Sequence, residues 1–193
     1  MPPTRPGTRV ALFGGTFDPP HDGHLMASLS ALRRIGVEQV WWLLTPGNPL
    51  KRRKPAPLAD RLAACAAFAD HPRIAVTGIE ATFGTRYSID TVRRILAQCP
   101  GVSFVWLMGA DALAGFHRWR DWRRLAAMIP IAVVDRPNAG GALASPAAIT
   151  LRDRRISESD AALLPSLAPP VWTFLHGPRI GVSSTALRSR KKR

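Results

Sequence analysis

The stretch Arg9-Val10-Ala11-Leu12-Phe13-Gly14-Gly15-Thr16-Phe17-Asp18-Pro19-Pro20-His21-Asp22-Gly23-His24-Leu25 decides how this chain is read. Arg9 to Gly14 is an apolar run that predicts a strand, and turn-forming residues follow it. From Asp22 to Ile35 the residues Leu25, Leu29, Leu32 and Ile35 recur on one helical face. Strand, glycine-bearing loop and helix open a βα unit. Gly14 and Gly15 let the backbone approach a ligand, and the unpaired N–H groups at the start of the helix aim at the same loop. His21 and His24 stand three apart, which sets both imidazoles beside an anion held at that helix start. The same two residues also suit helix capping, a turn or a metal pair.

Outward from this unit the alternation continues. Strands are expected over Gln39 to Thr45, Arg73 to Ile79, Val102 to Met108, Pro130 to Val134 and Val171 to Leu175. Helices are expected over Leu58 to Ala69, Ser88 to Gln98, Asp121 to Met128 and Ser184 to Arg190. Val102 to Met108 is apolar almost without interruption, as a central parallel strand buried on both faces must be. The pattern predicts a single α/β domain with a Rossmann-like, doubly wound parallel sheet and its ligand site beyond the carboxyl ends of the strands. The domain spans 8–189, preceded by a flexible N-terminus at 1–7 and followed by a basic tail at 190–193. Within it, 136–170 reads as an irregular insertion with at most one short helix.

With 193 residues, 46% hydrophobic and 21% charged, the chain can bury a real core, which excludes wholesale disorder. Its net charge of +14 calls for an anionic partner or substrate. The positive charge clusters at Lys51-Arg52-Arg53-Lys54, at Arg152, Arg154 and Arg155, and at Arg188 with Arg190 to Arg193. No recognition-helix or stacking-aromatic motif accompanies these runs, so no specific nucleic-acid partner is expected. Cys65 and Cys99 cannot form a disulfide framework and suit a reducing cytoplasm. The apolar run at Val10 to Phe13 is too short for a signal peptide, and prolines interrupt Ala161 to Pro178, so no membrane association is expected.

The opening loop resembles the HxGH signature of the nucleotidylyltransferase superfamily, in the form found in its nicotinate mononucleotide adenylyltransferase branch. Val182-Ser183-Ser184-Thr185-Ala186-Leu187-Arg188 is similar to the superfamily's second signature, ISSTxxR, with valine in place of isoleucine. Arg86-Tyr87-Ser88-Ile89-Asp90-Thr91 resembles the branch's SYTIDT stretch. Phe104 to Leu113 followed by Phe116-His117-Arg118-Trp119-Arg120-Asp121-Trp122 resembles its GAD…FHxWxxW block, and Asn48-Pro49-Leu50-Lys51 its phosphate loop.

That resemblance implies adenylyl transfer from ATP to nicotinate mononucleotide. His21, His24 and Arg188 would be catalytic contacts to the phosphates. Gly14, Gly15, Thr16, Ser184 and Thr185 would bind ATP phosphate, and Asp111 would accept a ribose hydroxyl, although a helix N-cap explains Asp111 nearly as well. Lys51 would neutralise the mononucleotide phosphate. Arg86, Tyr87 and Ser88 would sit near the pyridine carboxylate, and Trp119 would stack on the ring unless it is core. Mg²⁺ would travel mainly on the ATP phosphates, without a protein ligand. Homo-oligomerisation is left open. The competing expectations are a phosphopantetheine adenylyltransferase and, from another class, a basic nucleic-acid-binding protein.

Overall fold

The computed structural model describes residues 1–47, 54–136 and 141–177. The elements in chain order are β1 (Arg9–Gly15), α1 (Asp22–Arg34), β2 (Gln39–Leu44), α2 (Leu58–Phe68), β3 (Ile74–Thr77), α3 (Ile79–Phe83), α4 (Ser88–Gln98), β4 (Ser103–Gly109), α5 (Ala110–Gly115), α6 (Trp122–Met128), β5 (Ile131–Val134), α7 (Pro146–Thr150) and β6 (Trp172–Leu175). The six strands form one parallel sheet in the order β3-β2-β1-β4-β5-β6. The winding reverses between β1 and β4, so a crevice opens beyond their carboxyl ends.

The unbroken apolar strands follow from burial on both faces. Because side chains alternate, Val10, Leu12, Trp41, Leu43, Phe104 and Trp106 face one layer, where Ile89, Val92 and Ile95 of α4 cover them. Ala11, Phe13, Trp42, Val105 and Leu107 face the other layer, against Ala27, Ala31 and Leu32 of α1. Cys65 and Cys99 are buried free thiols in opposite layers, so they do not pair.

Most elements lie where the periodicity puts them, within a residue or two. Two departures border the site. The expected strand over Arg73 to Ile79 stops at Thr77, and α3 begins at Ile79 and ends on Gly84 in the left-handed region (φ 62°). After β4 the chain turns at once into α5 and a 3₁₀ turn at Phe116–Arg118. Both segments are too short to display a helical period.

The expected irregular insertion is more regular than its composition suggests. It holds α7, with Ser145 capping Ala148 N–H at 3.3 Å, and 3₁₀ segments at Ala142–Ala144, Arg152–Arg154 and Glu158–Ser166. Ala142, Ala147, Ala148, Ala161 and Leu164 are buried. Trp172 Nε1 donates to Leu151 O at 2.7 Å, Ile156 N–H donates to Trp172 O at 2.9 Å, and Arg34 pairs with Glu158. A five-residue helix and 3₁₀ segments, with three residues per turn, carry no 3.6-residue stripe, which hid these segments in the sequence. At the other end, Gly7 N–H donates to Gly101 O at 2.7 Å and ties the N-terminus to β4's entry.

Candidate active site

The β1 carboxyl end is shaped by aromatic rings of the protein itself. A Cβ on Gly14 would lie 2.8 Å from the Trp106 ring, and one on Gly15 would lie 2.9 Å from the Phe17 ring. Phe17 adopts a left-handed backbone (φ 47°), unusual for a bulky residue. That turn lays its ring on Trp42 at 4.7 Å and against His24 at 4.5 Å. The glycines therefore serve internal packing as well as exposing backbone.

His21 and His24 form a reciprocal cap at the start of α1. His21 Nδ1 accepts from Gly23 N–H at 3.1 Å, and His24 Nδ1 accepts from His21 N–H at 3.2 Å. The rings lie 3.8 Å apart. With each Nδ1 engaged as an acceptor, the neutral ring carries its hydrogen on Nε2. The capping alternative raised by the sequence is thus realised. It also presents each imidazole as an Nε2–H donor. Burial lowers the His21 pKa to about 4, Arg136 adds to the lowering, and Asp111 and Asp22 oppose it. His21 is accordingly neutral at pH 7.

Asp111 does not cap α5. Gly109 occupies the N-cap and no side chain bonds there. The Asp111 carboxylate is exposed and stands 3.7 Å from Arg136 Nε, at the end of β5. Arg136 Nε is buried and makes no hydrogen bond among the described residues. A Cβ on Gly109 would lie 2.7 Å from that Nε. The junction thus holds two imidazoles, a carboxylate and a guanidinium with a donor to spare, beyond the ends of β1, β4 and β5.

Beside it lies a cavity of about 440 Å³, within the range of small-ligand sites. Of the residues expected to bind ligand, Gly14, Gly15, Thr16, Arg86, Tyr87, Ser88 and Trp119 line it. His21, His24 and Asp111 do not. Trp119 lies between the 3₁₀ turn and α6, half-buried and edge-on to Trp106 at 6.1 Å and Phe116 at 5.3 Å. Trp122 is core. The two tryptophans of the block therefore divide into a cavity wall and a packing residue. Arg120 stacks over the Tyr87 ring at 4.7 Å.

Several lining or supporting residues were not singled out in the sequence. Thr45, Glu80, Trp106, Arg118 and Arg120 line the same cavity. Arg61 is 3% exposed and joins three segments: Nε donates to Ala56 O at 2.8 Å, and Nη1 donates to Thr16 O at 2.8 Å and Thr45 O at 2.9 Å. A cation inside the Ala-rich Leu58 to Ala69 segment was the available signal. Lys51, Ser184, Thr185 and Arg188 lie outside the described residues, as do the expected final helix and the basic tail. Among the described residues, no three His, Cys, Asp or Glu side chains gather as a metal-ligand set, and no helix is long and apolar enough to cross a membrane.

The cytidylyltransferase-like family matches residues 12–190. A probable nicotinate-nucleotide adenylyltransferase of Rhizobium meliloti is 53% identical over 184 residues, covering 94% of this chain and 98% of its own. One from Mesorhizobium japonicum is 50% identical over 194 residues and covers 100% of both chains. Among solved structures, the nicotinic acid mononucleotide adenylyltransferase of Plasmodium falciparum complexed with NaAD aligns at a TM-score of 0.71. It is 14% identical, with 94% of this chain and 83% of that chain covered, so that likeness concerns the fold.

Proposed function

The chain belongs to the cytidylyltransferase-like family, and we propose that it acts there as its relatives are named. It joins nicotinate mononucleotide to the α-phosphorus of ATP, releasing pyrophosphate and forming nicotinate adenine dinucleotide, a step of NAD biosynthesis. The observation that carries this reading is the junction of two unlike surfaces. A cavity with an aromatic wall at Tyr87 and Trp119 runs into the Gly14–Thr16 backbone beside the capped start of α1.

The attacking phosphate monoester has a second pKa of about 6 and is already largely dianionic at pH 7, so no general base is needed. Catalysis consists of holding two anions in line and stabilising charge on the departing pyrophosphate. His21 and His24 offer Nε2–H donors to the triphosphate, and Gly14 to Thr16 offer backbone amides. A neutral imidazole suits this role because it donates a hydrogen bond without a charge to desolvate. Asp111 takes a ribose hydroxyl, and the spare Arg136 Nε–H takes an oxygen nearby. Trp119 stacks on the pyridine ring, with Arg86, Tyr87 and Ser88 near its carboxylate. By the family pattern, Lys51 meets the mononucleotide phosphate, and Ser184, Thr185 and Arg188 close on the triphosphate.

Mg²⁺ would neutralise charge on the phosphates when bound. The junction offers amides, imidazoles, a guanidinium and the Asp111 carboxylate, a set suited to phosphate oxygens and a ribose hydroxyl more than to a bare cation. In this reading the enzyme works in the cytoplasm, on soluble nucleotide pools.

The test supplies ATP, Mg²⁺ and either the acid or the amide mononucleotide and follows pyrophosphate release. Donors placed for a carboxylate and left facing an amide cost roughly 1–3 kcal/mol, so kcat/KM should favour the acid by about 5- to 150-fold. Absence of pyrophosphate release with both mononucleotides would refute the reading.

A further inference from the structure

A second depression, of about 400 Å³, adjoins the cavity and shares Arg86, Tyr87 and Arg120 with it. Arg93 and Arg94 of α4 line the depression and not the cavity. Four guanidiniums thus converge from three segments: the turn before α4, α4 itself, and the turn before α6. Among the described residues, Asp90 is the one carboxylate lining it. Asp90 pairs with Arg93 at 3.1 Å, and Asp121 stands 3.9 Å from Arg120 Nε. Arg94 Nη1 donates to Phe83 O at 2.6 Å. Among the described residues the Arg86 guanidinium has neither an ion pair nor a hydrogen bond, and it lies over the Tyr87 ring at 6.0 Å.

Each guanidinium carries five N–H donors, so all four keep donors to spare. Their planar forks match phosphate oxygens two at a time. One phosphoryl group cannot meet four forks, whereas a chain of them can. We propose that this depression is a second anion site, taking a chain of two or three phosphoryl groups, free or as the tail of a nucleotide, and that its occupant weakens mononucleotide binding in the adjoining cavity. Only the coupling rests on the mononucleotide reading of the cavity.

The sign of the coupling follows from the shared wall. Arg86 and Arg120 face both spaces, and Arg120 stacks on the Tyr87 ring at 4.7 Å. Guanidiniums drawn onto a polyanion in the depression are withdrawn from the cavity, and the added negative charge opposes a pyridine carboxylate beside Tyr87. By linkage, the mononucleotide weakens the polyanion by the same factor.

Tyr87 is the sole tyrosine of the chain, so fluorotyrosine incorporation labels the shared wall alone. With a non-hydrolysable ATP analogue filling the triphosphate site, inorganic triphosphate should shift the fluorine resonance saturably, and sodium chloride at equal ionic strength should not. Guanosine triphosphate forms a second arm: a response to either anion supports the site, and the pattern tells a free chain from a nucleotide tail. Arg93→Gln and Arg94→Gln are exposed changes outside the cavity. Each should weaken the anion by about tenfold, as loss of a charged hydrogen bond does, and leave turnover without added anion unchanged. At saturating ATP and fixed free Mg²⁺, the anion should raise KM for nicotinate mononucleotide by about fivefold or more and then level off. No shift beyond that of chloride with either anion, or an undiminished response in both variants, would overturn the site. A KM that climbs without a plateau would mean one shared site and would overturn the proposal as well. Absence of turnover with both mononucleotides would overturn the function and the coupling, and the fluorine titration then decides the site by itself.

Discussion

The Trp106 indole lies across Gly14 so closely that a Cβ on the glycine would come within 2.8 Å of ring carbon Cη2 and 2.9 Å of Cζ2. The neighbours in register are Leu12 and Trp106, on adjacent strands β1 and β4. The indole thus reaches over the end of β1 and forms cavity wall where the backbone must stay bare. Trp119 meets the same indole edge-on at 6.1 Å. One glycine therefore sets the position of two aromatic rings.

Gly14→Ala should force Trp106 to shift. Overpacking of this kind costs roughly 1–3 kcal/mol, which denaturant unfolding will register. Because Trp106 packs edge-on against Trp119 and both line the cavity, KM for the mononucleotide should rise more than KM for ATP. Trp106→Phe makes room and should restore much of the lost stability in the double variant. Additive losses would show that the two residues are not coupled.

His24 combines a cap acceptor at Nδ1 with a donor at Nε2, and two substitutions separate them. His24→Ala should lower kcat by on the order of 10²-fold or more, as loss of a preorganised contact does. It should also destabilise the fold, since His24 is buried against Phe17 and Trp42. His24→Asn places an amide oxygen near the Nδ1 position, keeping an acceptor for His21 N–H while deleting Nε2. Its stability should recover and its kcat should not. Recovery of both would assign His24 to capping alone.

The pH dependence of stability should carry the signature of His21. Its pKa is about 4 in the folded protein against 6.5 for the free side chain. The unfolded state therefore binds more protons between these values. Stability contributed by neutral His21 is complete above pH 6.5 and is lost as pH falls towards 4, by about 3 kcal/mol at most. His21→Asn should remove that part of the slope. Arg136→Ala should raise the His21 pKa, because Arg136 is the second cause of its lowering. An NMR titration of the His21 ring that is unchanged in Arg136→Ala would contradict this electrostatic link.

The positive charge near the carboxyl terminus should divide into two classes. Deleting residues 190–193 should leave KM for ATP nearly unchanged at about 0.15 M salt, where exposed charges are screened beyond roughly 8 Å. Arg188→Ala should impair ATP use by about tenfold or more, the equivalent of one charged hydrogen bond of roughly 1.5–3 kcal/mol. Steady-state kinetics on both variants decide the matter. A larger defect in the deletion would place the tail in the site.

The features legible in the order of residues are local ones. The succession of elements, the parallel sheet and the loop–helix junction all rest on residues a few positions apart. The histidine cap is built from His21, Gly23 and His24, and the burial of β4 on both faces is written in one apolar run, Phe104 to Met108. Such features follow from backbone periodicity and hydrogen bonds at short range, which the sequence records directly. The chemistry of Glu80, Arg61 and Arg136 instead arises on folding. Arg61 bonds a carbonyl 45 residues away, Glu80 owes its raised pKa to burial, and Arg136 Nε, 3.7 Å from Asp111, is buried without a hydrogen-bond partner among the described residues. Desolvation and long-range contact set those properties, and neither leaves a periodic trace in the chain.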